Sequence, residues 1–95
     1  MVNFMSPYYV YILKCKGGTL YTGYTNNIKR RIKEHNNGQS KYCRGRLPVK
    51  LEHIEIFKTQ KSAMNREIEI KKLARKEKLN LIKSNSNKYN VLNKD

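Results

Sequence analysis

The sequence predicts an α/β fold of the α+β type, and three observations point to it. The segments Tyr8-Tyr9-Val10-Tyr11-Ile12-Leu13 and Leu20-Tyr21-Thr22-Gly23-Tyr24 are dense in β-branched and aromatic residues and flank Lys16-Gly17-Gly18-Thr19, the composition of a β-hairpin. Further along, apolar residues recur at helical spacing in two separate segments, 28–35 and 63–72. With 95 residues, the chain has room for one core only.

The hairpin loop decides which strand residues share a face, because side chains alternate and a one-residue change of register turns a strand over. A two-residue loop at Gly17-Gly18 pairs Lys16 with Thr19 and sends Tyr11 and Tyr21 to opposite faces. A three-residue loop from Lys16 to Gly18, with Gly18 left-handed, pairs Cys15 with Thr19 and keeps both tyrosines on one face. Thr25-Asn26-Asn27 then supplies capping side chains for a helix over 28–35, and Gly38 suits its left-handed C-terminal cap. At about 100° per residue, Ile28, Arg31, Ile32 and His35 share one face of that helix, so Arg31 turns inward while Arg30 does not.

Residues 36–50 form a polar loop punctuated by glycines and Pro48, with Lys41, Arg44 and Arg46 around Tyr42. Leu51 to Phe57 alternates as a third strand, with Glu52 or Glu55 on its more exposed positions and Ile54, Ile56 or Phe57 in the core. Ser62 caps a second helix that runs from Ala63 to about Lys72. On its wheel Ala63, Met64, Ile70 and Ala74 all lie within about 60° of Glu67, so a carboxylate sits in the apolar stripe, whereas Glu69 points to the solvated lysine face. Leu79, Leu81 and Ile82 mark a last helix between Lys76 and Lys83. The resulting organisation is a lead over 1–7, one domain over 8–83 and a polar tail over 84–95.

The charge narrows the class of partner. Twenty-one Lys and Arg against seven Asp and Glu leave a net +14 at pH 7, a self-repelling excess that a polyanion would neutralise. The longest apolar run, Tyr8 to Leu13, is far short of the roughly 20 residues of a membrane span, and the first seven residues do not read as a secretory signal. Cys15 and Cys43 lack the close pairing of a zinc site or the density of a disulfide scaffold and read as reduced thiols. A cytoplasmic protein without a membrane partner is the expectation.

Three features bear on chemistry: tyrosines on a hairpin, an inward arginine and an inward carboxylate. Tyrosine in a strand is ordinarily a packing residue, and an arginine beside an apolar stripe ordinarily snorkels. Glu67 is different, because a carboxylate within an apolar stripe costs several kcal/mol unless it meets a cation, hydrogen bonds or a metal. His35 alone reads as a hydrogen-bonded packing residue, and His53 carries no signal.

The ordered set Tyr9-Val10-Tyr11, a short loop, Tyr21-Thr22-Gly23, Arg31, His35, and Glu67 within Arg66-Glu67-Ile68-Glu69-Ile70-Lys71 resembles the GIY-YIG nuclease domain over roughly residues 8–75. It is most similar to the small stand-alone bacterial members, and Arg30 to Gly38 resembles the corresponding helix of structure-specific junction nucleases. Tyr9-Val10 stands in place of the first Gly-Ile, and Thr22 in place of the central Ile of the second tripeptide.

The resemblance implies a central three-stranded antiparallel sheet flanked by helices, and metal-dependent hydrolysis of DNA phosphodiesters, with branched or damaged DNA in repair or recombination as the substrate. It assigns Glu67 to one divalent ion, Mg²⁺ or Mn²⁺, and Tyr11 to deprotonation of the attacking water. Tyr21 would position the water or the phosphate, Arg31 would balance phosphate charge, and His35 would support the tyrosines or contact the backbone. Both tyrosines must then share a face, which requires the odd loop or a bulge. The basic residues Lys41, Arg44 and Arg46, with Tyr42 stacking on a base or sugar, are the expected nucleic-acid contacts, with RNA as a second ligand. A domain this small would grip its substrate through a protein partner or self-association. The other reading is a binding module that keeps the fold without cutting.

Overall fold

The apolar run at Tyr8–Leu13 becomes the central strand, which explains why both of its faces are apolar. The structure, a computed structural model, describes residues 6–40, 45 and 47–84. The elements follow as β1 (Tyr8–Cys15), β2 (Leu20–Thr25), α1 (Ile28–Asn36), β3 (Val49–Phe57), α2 (Gln60–Lys71) and α3 (Arg75–Ser84). β1 pairs antiparallel with both neighbours, giving the order β2-β1-β3 and leaving β2 on an edge. The α+β class and the three-stranded antiparallel sheet are those predicted.

The hairpin takes the odd loop. Cys15 N–H donates to the Thr19 carbonyl at 2.7 Å and Gly18 N–H donates to the Cys15 carbonyl at 2.9 Å. Gly17 and Gly18 have φ of 93° and 97°, so the turn uses two left-handed residues where one was expected. Tyr11 therefore lies opposite Gly23 and Leu13 opposite Tyr21, which places both tyrosines on the same face.

α1 covers that face: Tyr11, Leu13, Cys15 and Val49 pack with Ile28, Ile32 and Leu51. The opposite face, formed by Val10 and Ile12, is covered by Ala63 and Ile70 of α2, with Leu81 and Ile82 of α3 closing over it. Asn27 caps α1, its Oδ1 accepting from Arg30 N–H at 3.0 Å. At the other end, Asn36 Oδ1 accepts from Val49 N–H at 2.8 Å and ties the helix to the start of β3.

Several expectations need correction. α2 begins before Ser62: Thr59 is the cap, with its hydroxyl accepting from Ser62 N–H at 3.1 Å, so Ser62 lies within the first turn. α2 also ends at Lys71, which removes Ala74 from its stripe, and Met64 is exposed, so Glu67 flanks a stripe centred on Ala63 and Ile70. β3 does not alternate simply, because the pairing shifts from Ile12 opposite His53 to Leu13 opposite Leu51 and bulges out Glu52. The bulge keeps Leu51 and Ile54 on the α1 face; of Ile54, Ile56 and Phe57, the three offered for the core, Ile54 is buried and Ile56 is exposed at 43%. Glu55, one of the two glutamates offered for the more exposed positions, is held by His53 Nε2 at 2.7 Å and Arg66 Nε at 2.9 Å.

Among the described residues no helix is long and apolar enough to cross a membrane, and Cys15 is buried and outside any disulfide. Cys43 and the tail beyond Ser84 lie outside the described residues.

Candidate active site

The site is built where the sheet ends. A cavity of about 480 Å³ runs over the edge of β2, and it takes Tyr11, Tyr21, Gly23 and Arg31 from the α1 side and Glu67 of α2 from the other. Glu67 reaches it because of its place on the wheel: Arg66 turns toward β3 and pairs with Glu55, so the next residue turns toward β2. The carboxylate is not turned to bulk solvent. Its side chain is 17% exposed, and Oε2 lies 3.4 Å from Lys71 Nζ one turn further along α2.

Gly23 makes the convergence sterically feasible. A Cβ at that position would stand 2.6 Å from the Tyr11 hydroxyl, 2.8 Å from its Cζ and 3.2 Å from Tyr21 Cε2. The Tyr11 hydroxyl thus occupies the volume that a side chain on the paired strand would fill. Tyr11 and Tyr21 meet with centroids 6.3 Å apart, tilted by 41°. His35 completes the aromatic cluster, 4.9 Å from the Tyr21 centroid in an edge-on geometry.

The buried His35 ring is hydrogen-bonded to the Tyr11 hydroxyl, with Nε2 at 3.2 Å. Its Nδ1 has no partner among the described residues. Burial and the nearby Arg31 charge lower the His35 pKa, which favours the neutral ring. Burial also pushes the Tyr11 phenol up to about 12, although hydrogen bonding to Arg31 opposes the rise. The phenol is therefore protonated throughout the neutral range.

Arg31 is fixed by its own helix. Glu34 Oε1 accepts from Arg31 Nη1 at 2.9 Å, and this carboxylate, followed by the tyrosine hydroxyls, drives the guanidinium pKa upward. Glu34 is also 3.5 Å from Arg30 Nε, so one acid spaces two adjacent arginines along the cleft. Arg30 in turn donates through Nη2 to Asn26 Oδ1 at 3.3 Å.

Of the expected site residues, the structure brings Tyr11, Tyr21, Arg31 and Glu67 to one cavity, with His35 behind Tyr11. The expected nucleic-acid contacts Lys41, Tyr42, Arg44 and Arg46 lie outside the described residues. Several lining residues were not anticipated: Tyr8, Tyr24, Thr25, Asn26, Arg30, Glu34 and Gln60. The Arg31–Glu34 spacing of three was a readable signal for one of them. The contact of Gln60 Nε2 with the Tyr24 hydroxyl at 3.4 Å, across 36 residues, left no local trace.

The carboxylate suits a hydrated hard cation. Mg²⁺ keeps several waters and takes one or two protein carboxylates, and the cavity beside Glu67 has the volume for such a shell. Among the described residues there is no group of three or more His, Cys, Asp or Glu that would form an all-protein cage.

Comparison with known proteins agrees with this architecture. The family model for the GIY-YIG catalytic domain matches residues 7–80. A UPF0213 protein of Clostridium perfringens is 60% identical over 79 residues, covering 82% of this chain and 85% of that protein. One from Syntrophus aciditrophicus is 52% identical over 83 residues, covering 85% and 95%. The solution NMR structure of a UPF0213 protein from Bacillus halodurans is similar at a TM-score of 0.58 and 44% identity, covering 87% of this chain and 89% of that one. Matched along most of its length by sequence and by structure, this chain belongs to the GIY-YIG catalytic domain family, alongside the UPF0213 proteins.

Proposed function

We propose that the protein is a divalent-metal-dependent endonuclease that hydrolyses DNA phosphodiester bonds, with branched or damaged DNA as its substrate. The observation that carries this reading is the meeting of Tyr11, Tyr21, Arg31 and Glu67, from four separate elements, in one cavity at the edge of β2.

Glu67 would hold the ion with waters completing its shell; a bound Mg²⁺ or Mn²⁺ supplies charge stabilisation at the phosphate and acidifies coordinated water. Arg31, pinned by Glu34 and always charged, offers its remaining donors to the phosphate oxygens, where negative charge builds up. Tyr21 positions the phosphate or the attacking water. Tyr11 is too weak an acid to work as a phenolate, so it serves as a relay: its oxygen takes the water proton as its own hydroxyl proton passes to His35 Nε2. This relay needs the His35 tautomer with the proton on Nδ1. Water oxygen bonds to phosphorus, one P–O ester bond breaks, and the leaving oxygen is protonated from solvent.

A second reading is favoured by one observation, the pairing of Glu67 with Lys71. A protein that keeps this pair in place of a metal ion would bind nucleic acid, DNA or RNA, without cutting it.

The test is incubation of the purified protein with supercoiled, single-stranded and branched DNA, with Mg²⁺ or Mn²⁺. Nicking or cleavage that disappears on chelation supports the nuclease; binding without cleavage of any of the three supports the module.

A further inference from the structure

The cleft beside Tyr21 is not the sole opening along the edge of β2. A second cavity of about 270 Å³ lies on the α2 and α3 side of the same strand, lined by Leu20, Tyr21, Thr22, Lys71 and Lys78. None of these residues is acidic, and two are lysines. Thr22 is 4% exposed, and its hydroxyl has no hydrogen-bond partner among the described residues. A buried hydroxyl without a partner is a cost that a bound acceptor would remove. The cationic surroundings extend to the hairpin tip, where Arg75 Nη2 lies 3.6 Å from the Cβ position of Gly18.

Two lysines and a buried hydroxyl that has no partner among the described residues ring a small opening whose lining holds no carboxylate, the complement of a phosphate group. Tyr21 is the shared wall between this opening and the main cleft, and Lys71, which lines the second cavity, pairs with Glu67 of the main cleft. We propose that the cavity of Thr22, Lys71 and Lys78 is a phosphate subsite that holds a backbone phosphate neighbouring the one in the main cleft. The strand then crosses the edge of β2 at Tyr21, and the subsite fixes its direction over the reacting groups. Thr22 carries part of the recognition at the position where the tripeptide departs from an apolar residue. This inference rests on the nucleic-acid reading of the main cleft and adds a place for the flanking strand.

The test uses the full chain in the presence of a chelator, so that DNA is bound and not cut. Affinity is measured by fluorescence anisotropy for DNA carrying a single neutral methylphosphonate, moved one position at a time across the cleaved site. In the parent protein, one position beside the cleaved phosphate is expected to weaken binding about 5- to 10-fold, the net worth of a single solvent-accessible hydrogen bond. Lys78→Gln and Thr22→Val should each flatten that position while leaving the rest of the profile unchanged, and Lys50→Gln on the far strand should leave the whole profile as in the parent. Thermal melting of each variant identifies any that is misfolded, and Thr22→Val, being isosteric, keeps the strand intact. A Lys78→Gln profile that matches the parent, or a loss no larger than that of Lys50→Gln, overturns the subsite. If the parent cuts DNA but its scan is flat, the subsite alone fails; if it neither binds nor cuts, the underlying reading fails with it.

Discussion

At Gly23 the site depends on a missing side chain. The Tyr11 hydroxyl is 2.6 Å from where a Cβ would stand, so Gly23→Ala must displace the ring or the edge strand. A loss of about 1–3 kcal/mol in a urea titration is expected, together with loss of any cleavage. Tyr11 itself gives a pH signature. Its phenol is raised from 10.0 to about 12, so the folded state favours the neutral form; that stability is whole below pH 10 and is lost as pH rises toward 12. Tyr11→Phe should remove this part of the alkaline slope in denaturation curves recorded across that window. Lys71 competes for the carboxylate that would hold the metal. Lys71→Met should therefore raise Mn²⁺ affinity by about 3-fold, the worth of a partly exposed ion pair, as read by titration calorimetry without DNA. The shared face of the two tyrosines was legible once the loop length was fixed, because parity alone determines it. The anchoring of Arg31 by Glu34 was not read, because the helical wheel separates faces and says little about long side chains that bend back along their own helix.

Elements meet through a half-buried polar cluster on the α2 side of the sheet. Glu55 of β3 accepts from Arg66 Nε at 2.9 Å and Nη2 at 3.1 Å, and from the fully buried His53 at 2.7 Å. Burial alone would raise the Glu55 pKa, but the hydrogen bonds from His53 and Arg66 prevail and hold it at about 2. The native carboxylate therefore contributes stability that is complete above its ordinary pKa of 4.5 and is lost as pH falls toward 2. Glu55→Gln should cost about 2 kcal/mol at neutral pH and lack that acid slope in thermal melts. The pair also sets the rotation of α2, since Arg66 turned toward β3 leaves Glu67 turned toward β2. Neither partner was legible beforehand: alternation left Glu52 and Glu55 as alternatives for the more exposed positions, and the bulge at Glu52 changes face assignments without a glycine or proline to announce it. The start of α2 was missed for a similar reason, because Thr59 and Ser62 are both good caps and three residues apart. The three strands and three helices and their succession along the chain were legible because composition and period agreed there.

For the whole molecule, the edge position of β2 explains how helices on opposite faces of a sheet serve one site. α1 delivers Arg31 and His35 from one face and α2 delivers Glu67 from the other, and the open edge lets them meet. A central strand would have kept them apart. That long-range closure has no signature in local pattern; the ordered resemblance carried it, and the sequence wheel supplied only that Glu67 was out of place in an apolar stripe. The net +14 is the charge that phosphate binding needs, so affinity for DNA should fall steeply with salt. The most direct test of a single shared site is a double-mutant cycle on cleavage rate, with DNA affinity measured beside it. Arg31→Ala, Glu67→Ala and the double variant should each retain binding, and the double variant should cut no more slowly than the slower single one, because groups that act as a unit are not additive. Independent, multiplying losses, or cleavage that survives Glu67→Ala unchanged, would contradict the shared site.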